Sequence, residues 1–245
     1  YLASISRELL CQQHEDVANA VNVESFAPAV QIAHAQGIQR FIYASSVAVY
    51  GSSDHPVTED APLAPTTIYG RGKKACEDML LASKSGMVKM VTRSASVCGY
   101  STRQRLDLTI NRMVHDACRK GVITVEGGEQ IRSHVHIQDL CEFYKLLLQT
   151  STHLTDGQAF NVVQENQKVI DSAMMVARVC GDVGMIKVVP RVDERSYAVD
   201  GRKAREILGF MPSRALKQAV RDLKIRFDAG YWPDSLTNPL YQNMA

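Results

Sequence analysis

The chain has 245 residues, enough to bury a sizeable core as one large domain or two modest ones. A hydrophobic share of 45% and a charged share of 22% are those of an ordinary soluble globular protein, and a net charge of +2 is too small for a nucleic-acid binder. Nothing has the layout of a signal peptide or a membrane span, and Cys11, Cys76, Cys98, Cys118, Cys141 and Cys180 include no Cys-x-x-Cys pair, so they read as reduced thiols of a cytoplasmic protein, most of them in the core.

The chain opens at Tyr1-Leu2-Ala3-Ser4-Ile5-Ser6-Arg7. From Val21 to Gln36 the apolar positions Val23, Phe26, Ala27, Val30 and Ala33 recur at helical spacing, with Ser25 as cap, Pro28 in the first turn and Gly37 as the stop. Asn22 just before this run also reads as a cap. Phe41-Ile42-Tyr43-Ala44 is short and continuously apolar, the pattern of a buried parallel strand. It runs into Ser45-Ser46-Val47-Ala48-Val49-Tyr50-Gly51, which puts Ser46 near the strand's carboxyl end, where open α/β sheets bind ligands.

A connection carrying Pro56, Pro62 and Pro65 leads to Tyr69-Gly70-Arg71-Gly72-Lys73, and a loop of that length is more often functional than idle. Tyr69 and Lys73 are four apart and so share one helix face, where an ammonium favours phenolate; the bland alternative is a solvated helix surface. The helix continues through Met79, Leu80 and Leu81 to about Ser83, Gly86 breaks it, and Met87 to Thr92 forms the next strand.

Further on, a helix is expected from about Asn111 to Lys120, then a short strand and turn over Ile123 to Gly128, with Val125 a core position. His134 and His136 alternate along a strand and share a face. A zinc site requires more ligands than lie close by, so structural histidines are the better reading and no metal is expected. Asp139 is placed to cap a helix from Leu140 to Gln149. A strand over Gly157 to Val163, a helix over Ile170 to Cys180 and an irregular tail from Trp232 to Ala245 complete the pass.

Ser46 within Ser-Ser-x-Ala-Val-Tyr-Gly, with Tyr69-x-x-x-Lys73 downstream, resembles the extended short-chain dehydrogenase/reductases of the nucleotide-sugar epimerase/dehydratase type. Four later stretches are similar to that family in order. They are Arg93-Ser94-Ala95-Ser96-Val97-Cys98-Gly99, Arg132-Ser-His134-Val-His136-Ile-Gln-Asp139, Gly157-Gln-Ala-Phe-Asn161 and Asp200-x-x-Lys203-Ala-x-x-x-Leu-Gly-Phe210-x-Pro212. The first departs from the family turn, with Ser94 for Pro, Ser96 for a substrate-contacting Asn and Cys98 for Tyr.

The resemblance implies an α/β fold: a Rossmann-type doubly wound parallel sheet, truncated at its N-terminal side, with a smaller α/β substrate domain. Residues 1–99 would form the C-terminal part of the dinucleotide-binding domain, and 100–245 mainly the substrate domain, with about 131–163 returning to the sheet. A dinucleotide-binding fold begins with a strand and a Gly-x-Gly-x-x-Gly type turn, and this sequence has no such turn. Its opening resembles the family's His-Leu-Ala-Ala stretch at the end of the fourth strand, so about sixty residues of the usual first half have no counterpart, at roughly thirty per βαβ unit. The chain is then either a fragment or a shortened relative.

The resemblance further implies Ser46, Tyr69 and Lys73 as catalytic residues. Tyr69, Lys73, Ala44, Leu2 and Ala3 would lie against NAD or NADP, and Ser96, Asn111, Arg132, Arg191 and Asp193 would hold a nucleotide-sugar substrate. Asn22 matches an asparagine beneath the active site, and the helices at Val21 to Gln36 and after Tyr69 would pack against their copies in a homodimer, with neither nucleic acid nor membrane as partner. Dehydratases of the family place acidic residues directly after the Ser/Thr; Val47 and Ala48 stand there, and neither titrates. The implied activity is therefore NAD-dependent 4-epimerisation of a nucleotide sugar. The alternatives are an NAD(P)-dependent keto-sugar reductase of the same family and a truncated, non-catalytic binding or dimerisation relative.

Overall fold

The structure is a computed structural model that describes residues 1–181, 185–190 and 195–242. It divides into two compact units: residues 1–95, 142–162 and 199–211 form the first, and residues 96–141, 163–198 and 212–245 the second.

The first unit opens with an extended segment. Tyr1 donates its amino nitrogen to Ile42 O at 2.7 Å and accepts from Ala44 N at 3.2 Å, the alternation of a parallel ladder. Helices α1 (Glu8–Gln13) and α2 (Glu15–Asn19) lead into a π turn over Ala20–Glu24 and then α3 (Phe26–Ala35). Sequence periodicity alone predicted a single helix from Val21. The wider turn interrupts it, and Ser25 hydrogen-bonds Val21 O at 2.8 Å instead of capping α3.

Strand β1 (Arg40–Ser46) pairs in parallel with β2 (Val88–Ser94), from Arg40 opposite Val88 to Ser46 opposite Ser94. Helix α4 (Ile68–Ala82) makes the crossover between them. Burial along β1 alternates, so it is not the evenly buried strand its composition suggested: Phe41, Tyr43 and Ser45 are sealed, while Ile42 and Ala44 are only partly covered. Phe41 and Tyr43 join Phe26, Val30, Cys76, Leu80 and Val91 in the core shared with α3 and α4. Phe143, Phe160 and Phe210 form a second aromatic cluster, with centroids 4.9 Å apart for Phe143 and Phe210.

In the second unit β3 (Ser96–Cys98) runs parallel to β5 (Ile131–His136), and β5 pairs antiparallel with β7 (Glu165–Lys168). A separate ladder joins β4 (Val122–Glu126) to β8 (Met185–Val189). Helix α5 (Thr109–Lys120) packs with α8 (Val169–Cys180) and α10 (Leu216–Asp228) over a core that includes Ile123, Val125, Leu223 and Trp232. The stretch 131–163 is split: β5 belongs to this unit, whereas β6 (Gln158–Val162) pairs in parallel with β2 in the first. Helix α6 (Ile137–Gln149) and the short α7 (Thr152–Thr155) connect β5 to β6, and α9 (Arg202–Leu208) packs on β6. After Trp232 the described residues run irregularly through turns as far as Gln242. This stretch forms a turn over Pro239–Gln242, and Tyr241 O accepts from Leu106 N at 2.7 Å.

Candidate active site

The site is built from the end of β1 outward. Ser46 Oγ accepts from Ala48 N at 3.2 Å and so caps a 3-10 turn over Val47–Tyr50, all four of whose side chains are buried. Gly51 then turns with φ +78°, and a Cβ there would lie 2.2 Å from Ala64 O, so only glycine fits. Thr67 Oγ1 accepts from Gly70 N at 3.0 Å and starts α4, which fixes Tyr69 in the first turn and Lys73 one turn later.

Helix α4 approaches the Ser46 turn closely because Gly70 has no side chain: a Cβ would meet Ala48 O at 2.8 Å. Gly72 lies against Val23 and Asn22. Gly70-x-Gly72-x-x-Ala75 matches a phosphate-loop spacing in form, yet both glycines are interior to α4 and serve helix packing.

Lys73 is buried. Its Nζ donates to Ala44 O at 2.8 Å and lies 5.0 Å from the Tyr43 ring centroid and 5.4 Å from that of Tyr69. Burial pushes the ammonium down to about 8, with Cys76, Glu77 and Cys11 acting in the opposite direction, so it is still a cation at neutral pH. Cys76 Sγ donates to Asn22 O at 3.1 Å. The Asn22 side chain accepts from Ile5 N at 2.7 Å and donates to Ile5 O at 2.9 Å, so it ties the opening segment down rather than capping a helix. Leu2 and Ala3 on that segment are exposed and Ala44 is partly so.

Beneath α4 lies a polar network that the sequence did not reveal. Arg93 Nη2 meets Glu77 Oε2 at 2.7 Å, and Ser45 Oγ also donates to Glu77. Arg93 Nη1 donates to Tyr50 OH at 2.9 Å and to Glu59 O at 3.0 Å, and Tyr50 OH donates to Asn161 Oδ1 at 2.8 Å. Asn161 N donates to Glu59 Oε1 at 2.7 Å, so the proline-bearing loop is pinned at Glu59. Glu77 sits four residues after Lys73, a spacing that could have suggested a charged partner on the same face.

Of the expected substrate residues, Ser96, Asn111 and Arg132 lie in the second unit. Ser96 opens β3, opposite His134 of β5. Asn111 is buried in the first turn of α5, where its Oδ1 accepts from Gly99 N at 3.0 Å and its Nδ2 donates to Arg105 O at 2.8 Å. Arg132 on β5 donates to Arg195 O and lies over the Tyr197 ring. Arg191 and Asp193 lie outside the described residues. Asp139 does not cap its own helix. Its carboxylate accepts from Arg214 N at 2.9 Å and Arg214 Nη1 at 2.6 Å, while His136 Nδ1 receives Gln138 N at the helix start. His134 is sealed, and burial lowers it to about 4. Among the described residues no group of three His, Cys, Asp or Glu is placed to hold a metal ion, and no helix is long and apolar enough to cross a membrane.

The sequence model described as the NAD dependent epimerase/dehydratase family matches residues 2–162. The chain belongs to that family. A UDP-glucose 4-epimerase of Streptomyces lividans is 28% identical over 230 residues, covering 81% of this chain and 64% of the relative. The chain spans less than two thirds of the length of the curated relatives it matches, 64% of each of two of them. Among solved structures, a UDP-glucuronic acid 4-epimerase from Bacillus cereus, in complex with UDP-glucuronic acid and NAD, aligns with a TM-score of 0.85 at 20% identity. That alignment covers 94% of this chain and 74% of the other. The dTDP-glucose 4,6-dehydratase DesIV of Streptomyces venezuelae, with NAD and TYD bound, aligns with a TM-score of 0.84 at 22% identity and covers 98% and 74%. These likenesses make the fold that of the Rossmann-type epimerases and dehydratases.

Proposed function

We propose that this chain serves an NAD-dependent nucleotide-sugar 4-epimerase, with Ser46, Tyr69 and Lys73 as its catalytic residues. The observation that carries the reading is the buried Lys73 ammonium, held by Ala44 O one helical turn from Tyr69, on a helix packed against the Ser46 turn. The family includes relatives named as 4-epimerases, and solved neighbours with NAD bound.

The donor set fits a nicotinamide ribose. An ammonium offers three N–H donors, one goes to Ala44 O, and the exposed Leu2 and Ala3 lie on the segment that pairs with the same strand. NAD, when bound, supplies the acceptor and later the donor of the hydride. Tyr69, as phenolate, would take the proton of the sugar 4-hydroxyl and later give it back to the same oxygen. Lys73 favours the phenolate through its charge and holds the ribose. Ser46 hydrogen-bonds the reacting oxygen. Ser96, Asn111 and Arg132, with Arg191 and Asp193, are assigned to the nucleotide sugar, and Arg132 suits a phosphate because a guanidinium presents its donors in a fixed fork. The exposed apolar side chains of Val21, Ile32 and Leu81, on the π turn, α3 and α4, support a homodimer.

Epimerisation rather than dehydration rests on Val47 and Ala48. A 4,6-dehydratase must take a proton from C5 and deliver one to the departing C6 hydroxyl, and here only hydrocarbon follows Ser46. The test is a reaction of the enzyme containing this chain with UDP-glucose and with UDP-glucuronic acid in deuterated water, read by mass spectrometry and proton NMR. The expected outcome is inversion at C4 without deuterium at C5. A 4-keto-6-deoxy product would replace the epimerase reading with a dehydratase.

A further inference from the structure

Helices α8 and α10 pack together in the second unit, and each carries two faces at helical spacing. Val169, Ala173 and Val176 of α8 and Leu216, Val220 and Leu223 of α10 enter the core. The opposite faces, Asp171, Met174, Met175 and Arg178 on α8 and Lys217, Arg221, Lys224 and Ile225 on α10, line an open groove of about 730 Å³ that is separate from the site described above. Part of its lining is apolar and wet: Met174 is exposed, Met175 is half-buried, and Ile225 is 63% exposed. The rest is cationic. Among the described residues the lining sets Arg178, Lys217, Arg221 and Lys224 against one carboxylate, Asp171. Lys224 is paired with Asp228 at 2.6 Å, whereas Arg178, Lys217 and Arg221 have neither a hydrogen-bond nor an ion-pair partner among the described residues. The whole chain carries a net charge of only +2, so this excess is local.

We propose that the groove between α8 and α10 docks an acidic, amphipathic helix of a partner protein. The apolar face of that helix covers Met174, Met175 and Ile225, whose contact with water is unfavourable, and the thioether side chains adapt to the shapes they meet. Carboxylates on its flanks meet Arg178, Lys217 and Arg221, which supply the charge complementarity that selects an acidic partner and rejects a basic one. The two walls are 12 and 13 residues long, about 18–20 Å, so the docked segment has roughly three turns. Other occupants suit the groove less well. A concave surface between two helices does not lie flat on a bilayer, a phosphate backbone brings no apolar side chain to the methionines and Ile225, and a small ligand needs walls that enclose most of its surface.

The test titrates the purified enzyme containing this chain into a fluorescein-labelled synthetic helix of roughly three turns, with leucines along one face and glutamates on both flanks, and reads fluorescence anisotropy. The expected result is saturable binding that weakens as salt rises, weakens about tenfold in the double variant Arg178→Glu, Arg221→Glu, and weakens by a similar factor in Met174→Ser, Ile225→Ser. All four positions are exposed, and circular dichroism checks that both variants are folded. Binding no tighter than that of a poly-glutamate of equal charge would reduce the groove to a charge effect, and tighter binding of a single-stranded oligonucleotide would make it a nucleic-acid surface. Self-association of the enzyme, seen by light scattering and abolished by Arg221→Glu, would make the occupant a second copy. Each of these results, or no binding of the peptide, would overturn the proposal.

Discussion

Glu77 and Arg93 close on each other through a forked ion pair, with Arg93 Nη2 2.7 Å from Glu77 Oε2 and Arg93 Nε 3.2 Å from both carboxylate oxygens. Both side chains are almost wholly enclosed, and the pair ties α4, which carries Tyr69 and Lys73, to β2. Its partners keep the geometry specific: Ser45 fills one side of the carboxylate, and Tyr50 and the Glu59 carbonyl use the far end of the guanidinium.

Breaking this pair from one side should cost more than its net worth, because a buried charge is left without a partner. Arg93→Leu strands the Glu77 carboxylate and is expected to destabilise the protein by about 3–5 kcal/mol. Urea denaturation at neutral pH measures it. A loss near 1 kcal/mol would mean that water reaches the carboxylate. Adding Glu77→Leu to that variant should recover much of the loss, since no charge then remains buried.

Lys73 imposes a pH dependence of unusual sign. Its folded pKa of about 8 lies below the unfolded value, so between roughly pH 8 and 10.5 the unfolded chain holds more protons and this group makes stability rise with pH. Below pH 8 its buried charge costs about 3 kcal/mol. Lys73→Met should therefore be more stable than wild type at pH 7, by less than that figure because the Ala44 hydrogen bond is lost. It should also lack the alkaline rise. Parallel stability curves for the two proteins would contradict the assignment.

Removing only the proton acceptor should separate chemistry from binding. In the enzyme containing this chain, Tyr69→Phe is expected to lower kcat by about 10²–10⁴ while NAD affinity, followed by fluorescence titration, changes little. Retention of a substantial share of the wild-type rate would remove Tyr69 from the catalytic role.

The two glycines beside Lys73 should behave differently. Gly70→Ala places a methyl 2.8 Å from Ala48 O and 3.0 Å from Pro65 Cβ, contacts that backbone and ring cannot relieve, and about 1–3 kcal/mol of stability should be lost. Gly72→Ala meets a single methyl of Val23 at 3.3 Å, and the gain in helix propensity opposes that contact. Chemical denaturation of both variants ranks them. Equal losses would show that the Ser46 turn yields.

His134 should govern part of the acid limb. Its folded pKa of about 4 lies below the usual histidine value near 6.5, so as pH falls through that window the unfolded chain takes up the proton first and stability is lost, by about 3 kcal/mol in all. His134→Leu should flatten the stability curve between pH 6.5 and 4. An unchanged slope would transfer the effect to other groups.

The sequence by itself determined what is local. The short apolar run at Phe41 to Ala44 reads as a strand, the four-residue spacing of Tyr69 and Lys73 sets them on one helix face, and Val47 and Ala48 exclude an ionisable side chain at those positions whatever the fold. Tertiary structure decided which polar groups meet. Asn22 gave two local readings, and only the close passage of Ile5 makes it a clamp on the opening segment. Asp139 stood where a cap belongs, but Arg214, 75 residues away, claims its carboxylate. Glu77, Arg93, Tyr50, Glu59 and Asn161 carry no shared motif, because hydrogen bonds between residues up to 111 positions apart leave no periodic trace in the chain.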